Sequence, residues 1–185
     1  MGRTIGPVHA TRFYRTNVRA VVARLEHDRR LDVWLAVAPA PERRTTTLPL
    51  PTRRIGQPRG DLGAKMQAMF DLMPPGPVVI VGTDIPGITA AAVVQVARSA
   101  MRASVAFAPT PDGGFWAVAA RRTPRIQRPF KAVRWSTEHA LADCLNNRDS
   151  IGAVLGPALI DVDDAGSYHE TRDVRGRRVV PQQRR

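Results

Sequence analysis

The stretch Pro77-Val78-Val79-Ile80-Val81-Gly82-Thr83-Asp84-Ile85-Pro86 decides the fold. Apolar, mostly β-branched side chains run unbroken from Val78 to Val81 and stop at a small-residue turn that carries a carboxylate. Strands of a helix-covered parallel sheet read this way, because both faces are buried and no polar side is left for alternation. The turn after such a strand lies at its carboxyl end, where open α/β sheets place their ligands. Asp84 is therefore the first candidate for chemistry. Taken alone, an Asp in this setting more often caps the turn before a proline such as Pro86, so the rest of the chain has to decide.

Outward from this strand, helical and extended patterns alternate. Upstream, Met66, Met69, Phe70 and Met73 recur at helical spacing behind Asp61, a favoured N-cap, and Pro74-Pro75-Gly76 stops the helix. A methionine stripe of this kind packs a core. Downstream, Thr89 is the natural N-cap of a helix over Ala90 to Met101 that turns Val93, Val94, Val96 and Ala97 to the sheet. Ala103 to Ala108 and Phe115 to Ala120 read as strands joined through Asp112-Gly113-Gly114, followed by a basic loop over Arg121 to Arg134. Ser136 or Thr137 caps a helix to Asn146, and Ile151 to Leu155 reads as a last strand. At the start, Tyr14, Val18, Val21, Val22 and Leu25 form the apolar face of a helix within Pro7 to His27. Leu31 to Val37 is a short strand containing Trp34. The proline-rich residues 40–60 form an extended surface connection with a short strand near Leu48 to Leu50. The alternation predicts an α/β protein with a mostly parallel sheet, one domain over residues 1–168 and a basic tail over 169–185.

A chain of 185 residues supports one domain with a real core, and 43% apolar with 24% charged residues is globular composition. No apolar run approaches the ~20 residues of a membrane span and no signal-peptide core follows Met1, so the expected location is cytoplasmic. The single cysteine, Cys144, excludes an internal disulfide, and its place beside Leu141 and Leu145 predicts a buried, inert thiol. The net charge of +12 invites a polyanion-binding reading. The arginines are scattered, however, and no helix-turn-helix, zinc-finger or ribonucleoprotein pattern accompanies them. Charge of this sign draws anionic ligands from a distance without specifying nucleic acid.

Asp84, Asp112 and the cluster Asp161, Asp163 and Asp164 all stand at the ends of predicted strands. Hard divalent cations take oxygen ligands, commonly one or two carboxylates plus substrate phosphates, and neutralise charge on a leaving diphosphate. Gly113 and Gly114 beside Asp112 let backbone approach a ligand closely, and equally make a tight turn.

The order Gln57-x-x-Gly60-Asp61-Leu62-Gly63-x-Lys65-Met66, Gly82-Thr83-Asp84-Ile85-Pro86, Asp112-Gly113-Gly114-Phe115-Trp116, Trp135-Ser136-Thr137 and Asp161-Val162-Asp163 resembles the bacterial DUF2064 family. The match covers roughly Ile5 to Asp164. The resemblance implies the Rossmann-like three-layer sandwich of the nucleotide-diphospho-sugar transferase (glycosyltransferase-A-like) type. It also implies a glycosyl- or nucleotidyltransferase that uses a nucleotide or nucleotide-sugar donor, an unknown small acceptor, and Mg2+ or Mn2+. Carried over by position, Asp84 would be the catalytic metal and phosphate carboxylate, Asp112 would bind acceptor or metal, and Asp163 would be a further metal-side acid. Gln57, Asp61, Lys65, Gly82 and Thr83 would face the nucleotide. Gly113, Gly114, Trp116, Trp135, Ser136 and Thr137 would line the substrate pocket.

Several positions depart from the family pattern: Thr83 for Ser, Pro111 for the Glu before Asp112, Phe115 for Tyr, Lys65 for Arg and Asp164 for Thr. The larger departure is at the start. The family's first strand and its Lys-Thr-Arg turn have no counterpart before Ile5-Gly6-Pro7, and loss of that strand would leave ladder groups of its neighbours open. Two further readings follow: a truncated, catalytically inactive family member with a structural or binding role, and a homodimer in which a partner strand fills the gap. A basic polyanion-binding module is the third.

Overall fold

The computed structural model describes residues 7–38, 52–85, 87–124, 127–147, 150 and 152–159. The elements in order are α1 (Pro7–Glu26), β1 (Trp34–Val37), β2 (Arg53–Gly56), α2 (Leu62–Leu72), β3 (Gly76–Val81), α3 (Ala90–Ala103), β4 (Val105–Pro109), β5 (Phe115–Arg122), α4 (Ala140–Leu145) and β6 (Val154–Leu155). Two helices have the starts that the sequence predicts. Asp61 accepts from the Ala64 amide at 2.7 Å and Thr89 from the Ala92 amide at 3.2 Å, each satisfying a donor that a helix start leaves open.

The central sheet has the order β3-β5-β4-β6. β3 and β4 each pair antiparallel with β5, and β6 pairs parallel with β4. Three strands thus share one direction and β5 opposes them, so the sheet is mixed where the sequence predicts a mostly parallel one. The physical reason is the short connection from Pro109 to Phe115. It makes a hairpin, and a parallel return needs a crossover of roughly a dozen residues.

Period-two alternation divides the strand residues between two apolar layers. Val79, Val81, Ala106, Ala108, Ala117 and Ala119 pack with α1 and α3 through Val21, Leu25, Val93 and Val96. Val78, Ile80, Val105, Phe107, Val118 and Ala120 pack with α2 and α4 through Met66, Phe70 and Cys144. Helices on both faces of one sheet give the three-layer sandwich. A third cluster joins Val18 and Val22 of α1 to Leu35 and its neighbours Val33 and Val37.

β1 and β2 form their own two-stranded parallel sheet. Among the described residues β3 has a strand on one edge only, and its side chains are accordingly half-buried, where the sequence pattern predicts a fully buried strand. β2 is an addition to the sequence reading. The strand lies at Arg53–Gly56, while the predicted stretch Leu48 to Leu50 falls outside the described residues. Its register on β1 is aided by Arg53, whose guanidinium lies 5.3 Å from the Trp34 ring centroid and donates to Asp32 at 2.9 Å.

α4 begins later than predicted. His139 occupies the N-cap position without a side-chain cap bond. Thr137 instead closes the preceding turn: its hydroxyl donates to the Arg134 carbonyl at 2.7 Å and accepts from the His139 amide at 3.2 Å.

Candidate functional site

The topology brings several predicted residues to one edge. β3 and β4 both run against β5, so the Gly82-Thr83-Asp84 turn and the Asp112-Gly113-Gly114 turn leave the sheet on the same side. α2 precedes β3 through a short connection, which returns the Asp61 end of the helix toward that edge. Side-chain contacts bear this out. A Cβ on Gly63 would lie 2.8 Å from the Trp135 ring, and Trp135 meets Phe115 edge-on at 6.4 Å. Gly63 thus lets Trp135 dock on the first turn of α2, while Trp135 links that turn to the start of β5.

The Asp84 turn is held by its neighbours. The Gly82 amide donates to the Trp116 carbonyl at 2.9 Å, extending the ladder one residue beyond β3. A Cβ on Gly82 would stand 2.7 Å from Asp84 Oδ1, so the carboxylate folds back over the bare glycine. The Thr83 carbonyl accepts from Asn17 Nδ2 at 2.6 Å, and the Thr83 hydroxyl lies 3.3 Å from the Tyr14 hydroxyl. Ile85 and Ile88 anchor the following residues in the core, and the Arg24 guanidinium donates to the Ile88 carbonyl. Asp84 itself is exposed at the end of this braced segment.

Asp112 is exposed too, but much of its capacity is spent locally. Its Oδ1 accepts from the Thr110 hydroxyl at 2.5 Å and the Gly114 amide at 3.0 Å. Gly113 has φ +84, and a Cβ there would lie 2.1 Å from the Glu138 carbonyl oxygen. Its carbonyl accepts from the Leu141 amide at 3.0 Å. The close approach that this glycine permits is therefore made by the chain's own backbone.

Other predicted residues divide in the same way. Gln57 binds its own sheet, with Nε2 donating to the Ala36 carbonyl at 3.2 Å and its amide to the Val37 carbonyl at 2.8 Å. Trp116 is 1% exposed, and its indole donates to the Pro157 carbonyl at 2.7 Å. It packs the core instead of lining a surface pocket. Lys65 is half-buried on α2 and Ser136 is exposed with φ 59. Asp163 lies outside the described residues.

Sequence reasoning missed Tyr14 and Asn17, which come to the Asp84 turn from α1. The available signal was a polar residue, Asn17, on the otherwise apolar stripe of Val18, Val21 and Leu25. It also missed an open groove of about 550 Å³ beside the first turns of α2, lined by Asp61, Gln67, Arg128, Phe130 and Lys131. Its outer wall is fixed by Asn147, whose amide donates to the Pro129 and Lys131 carbonyls at 2.9 and 3.0 Å. Cys144 is buried as predicted, and burial pushes its thiol up to about 12.

Among the described residues no three His, Cys, Asp or Glu side chains converge on a common metal position. The exposed Asp84 carboxylate is an oxygen donor of the type that a hard cation takes, and such a cation commonly completes its shell with water and substrate phosphates. No helix of the described residues is long and apolar enough to cross a membrane.

The chain is thus a three-layer α/β sandwich with acidic turns at the carboxyl ends of β3 and β4. The structure is similar to that of a "putative nucleotide-diphospho-sugar transferase" from Desulfovibrio desulfuricans G20, with a TM-score of 0.80 and 22% identity over 95% of this chain and 80% of that one. A second, looser likeness is to the Mycobacterium tuberculosis rv0371c homolog from mycobacterium sp. strain JC1, with a TM-score of 0.53 and 15% identity over 85% of this chain and 81% of that one. The chain belongs to the DUF2064 family, an uncharacterized protein conserved in bacteria, whose family model matches residues 21–137. A comparison with proteins of curated function finds no match.

Proposed function

We propose that this protein is a metal-dependent transferase that uses a nucleotide or nucleotide-sugar donor, with Asp84 as the carboxylate for metal and donor phosphate. One observation carries the reading: Asp84 is an exposed carboxylate on a turn braced from α1 and β5, at the sheet edge where α/β folds bind ligands. Mg2+ or Mn2+ bound there with the donor phosphates would neutralise charge developing on the leaving diphosphate. This chain's own part is positioning. Asp84 would hold the metal side of the donor, and Asp61 at the start of α2 would stand on the nucleotide side. The free valences of Asp112 would face the acceptor. The groove beside α2, whose lining includes Asp61, is of a size that suits a small ligand, and Lys131 on its wall favours an anionic one.

A second reading, binding without turnover, draws on Asp61 and Asp112, both of which spend an oxygen on local backbone. Isothermal titration with a panel of nucleotides and nucleotide sugars plus Mn2+ tests the first reading. It predicts Mn2+-dependent heat with at least one donor and its loss in Asp84→Ala. Absence of heat across the panel, or heat indifferent to Asp84→Ala, would overturn it. Donor binding without release of diphosphate, across a panel of small acceptors, would select the second.

A further inference from the structure

We propose that Asn17 is a positioning residue of the Asp84 turn, setting the direction in which that carboxylate leaves the sheet. The inference rests on the reading of Asp84 as the donor-side carboxylate. Asn17 is 5% exposed on a stripe of α1 whose other members, Val18, Val21 and Leu25, are apolar. Packing alone would be met there by a leucine of similar size, and burying an amide is unfavourable unless it is hydrogen-bonded. The bond it makes reaches across 66 residues to the Thr83 carbonyl, at 2.6 Å.

That carbonyl is well placed to control Asp84. The peptide unit is planar, so the oxygen of Thr83, the amide of Asp84 and the Asp84 Cα move as one body. Fixing the oxygen fixes the plane from which the Asp84 side chain departs. Other restraints flank this plane: the Gly82 amide is tied to Trp116 on one side, the Thr83 hydroxyl lies beside that of Tyr14, and buried Ile85 and Ile88 hold the other side. α1 is itself registered on the same segment by Arg24 at the Ile88 carbonyl. Between these two ends, the Asn17 bond acts on the peptide oxygen itself and so holds one orientation of the Thr83–Asp84 peptide.

The test is native-state amide exchange by NMR on wild type, Asn17→Leu and Asn17→Ala, with Mn2+ titration of the same samples. Loss of one hydrogen bond predicts exchange at Gly82, whose amide is bonded to the Trp116 carbonyl beside the released peptide, accelerated by about tenfold, with amides of α2 and of the β4–β5 hairpin little changed. Mn2+ affinity in the presence of a nucleoside diphosphate should fall by a similar factor. If Asn17→Leu fails to fold, Asn17→Ala supplies the comparison. Unchanged exchange at Gly82, or acceleration spread evenly through the molecule, would overturn the inference. A wild type without Mn2+ affinity would sink the reading of Asp84 as a ligand. The exchange pattern would still decide whether Asn17 sets the turn.

Discussion

Replacing Gly113 with alanine should damage this fold far more than the same change at Gly152. Both glycines lie in the left-handed region, at φ +84 and φ +77, so an L side chain meets a similar conformational penalty at each, roughly 1–2 kcal/mol. Their surroundings differ. The new methyl at Gly113 would fall 2.1 Å from the Glu138 carbonyl oxygen and 2.7 Å from its carbonyl carbon and Cα, whereas nothing lies within 4 Å at Gly152. The colliding atoms are backbone, so no flexible side chain can yield. The loop before α4 must move instead, and the bond from the Leu141 amide to the Gly113 carbonyl stretches with it. Overpacking of this kind costs about 1–3 kcal/mol. The variant should therefore lose roughly 2–5 kcal/mol in all, against about 1–2 for Gly152→Ala. At ~2–4 °C per kcal/mol for a chain of this size, the Tm of Gly113→Ala should lie about 10 °C below wild type. Thermal unfolding followed by circular dichroism, with urea titration at 25 °C, reads both variants. Equal losses at the two positions would refute the argument that Gly113 is required by its own chain's backbone.

Asp61→Ala should cost about 1 kcal/mol in urea unfolding through loss of the α2 N-cap, while Asp61→Asn, which still caps, should cost little; equal losses would assign the effect to charge. Native Cys144 should resist a thiol reagent at pH 8, since burial holds its thiol at about 12, and it should react stoichiometrically once unfolded; rapid labelling of the folded protein would contradict this. Arg134 hydrogen bonds lower the Asp143 carboxyl from 3.8 to about 2. A carboxyl with a depressed folded value favours the native state fully above its unfolded value and loses that advantage as pH falls through the folded one. The Tm gap between wild type and Asp143→Asn should thus be constant at neutral pH and close between about pH 4 and pH 2; a gap unchanged at acid pH would refute the assignment.

The helices were legible because their signals are local. Met66, Met69 and Phe70 repeat at helical spacing behind Asp61, and the cap bond forms as that spacing implies. β5 kept its place but not its direction, because direction depends on the length of the return from Pro109 rather than on the apolar run itself. β2 was illegible for a different reason. Arg53-Arg54-Ile55-Gly56 has no strand pattern of its own and is a strand because β1 lies beside it. At the site, the strand pattern placed Asp84 and Asp112 at strand ends of one edge, where both turns lie. It could not separate residues that face solvent from residues such as Trp116 and Gly113, whose roles are set by partners far away in sequence, Pro157 and Glu138. Asn17 was hidden likewise, since its meaning comes from Thr83.

Electron paramagnetic resonance of Mn2+ titrated into the protein with a nucleoside diphosphate tests the central claim, that Asp84 is the donor-side metal carboxylate. Wild type should quench the free Mn2+ signal only when the nucleotide is present, and Asp84→Asn, which keeps the side-chain shape but removes the charge, should weaken that effect at least tenfold at unchanged Tm. Quenching of equal strength in wild type and Asp84→Asn, or none in either, would contradict it.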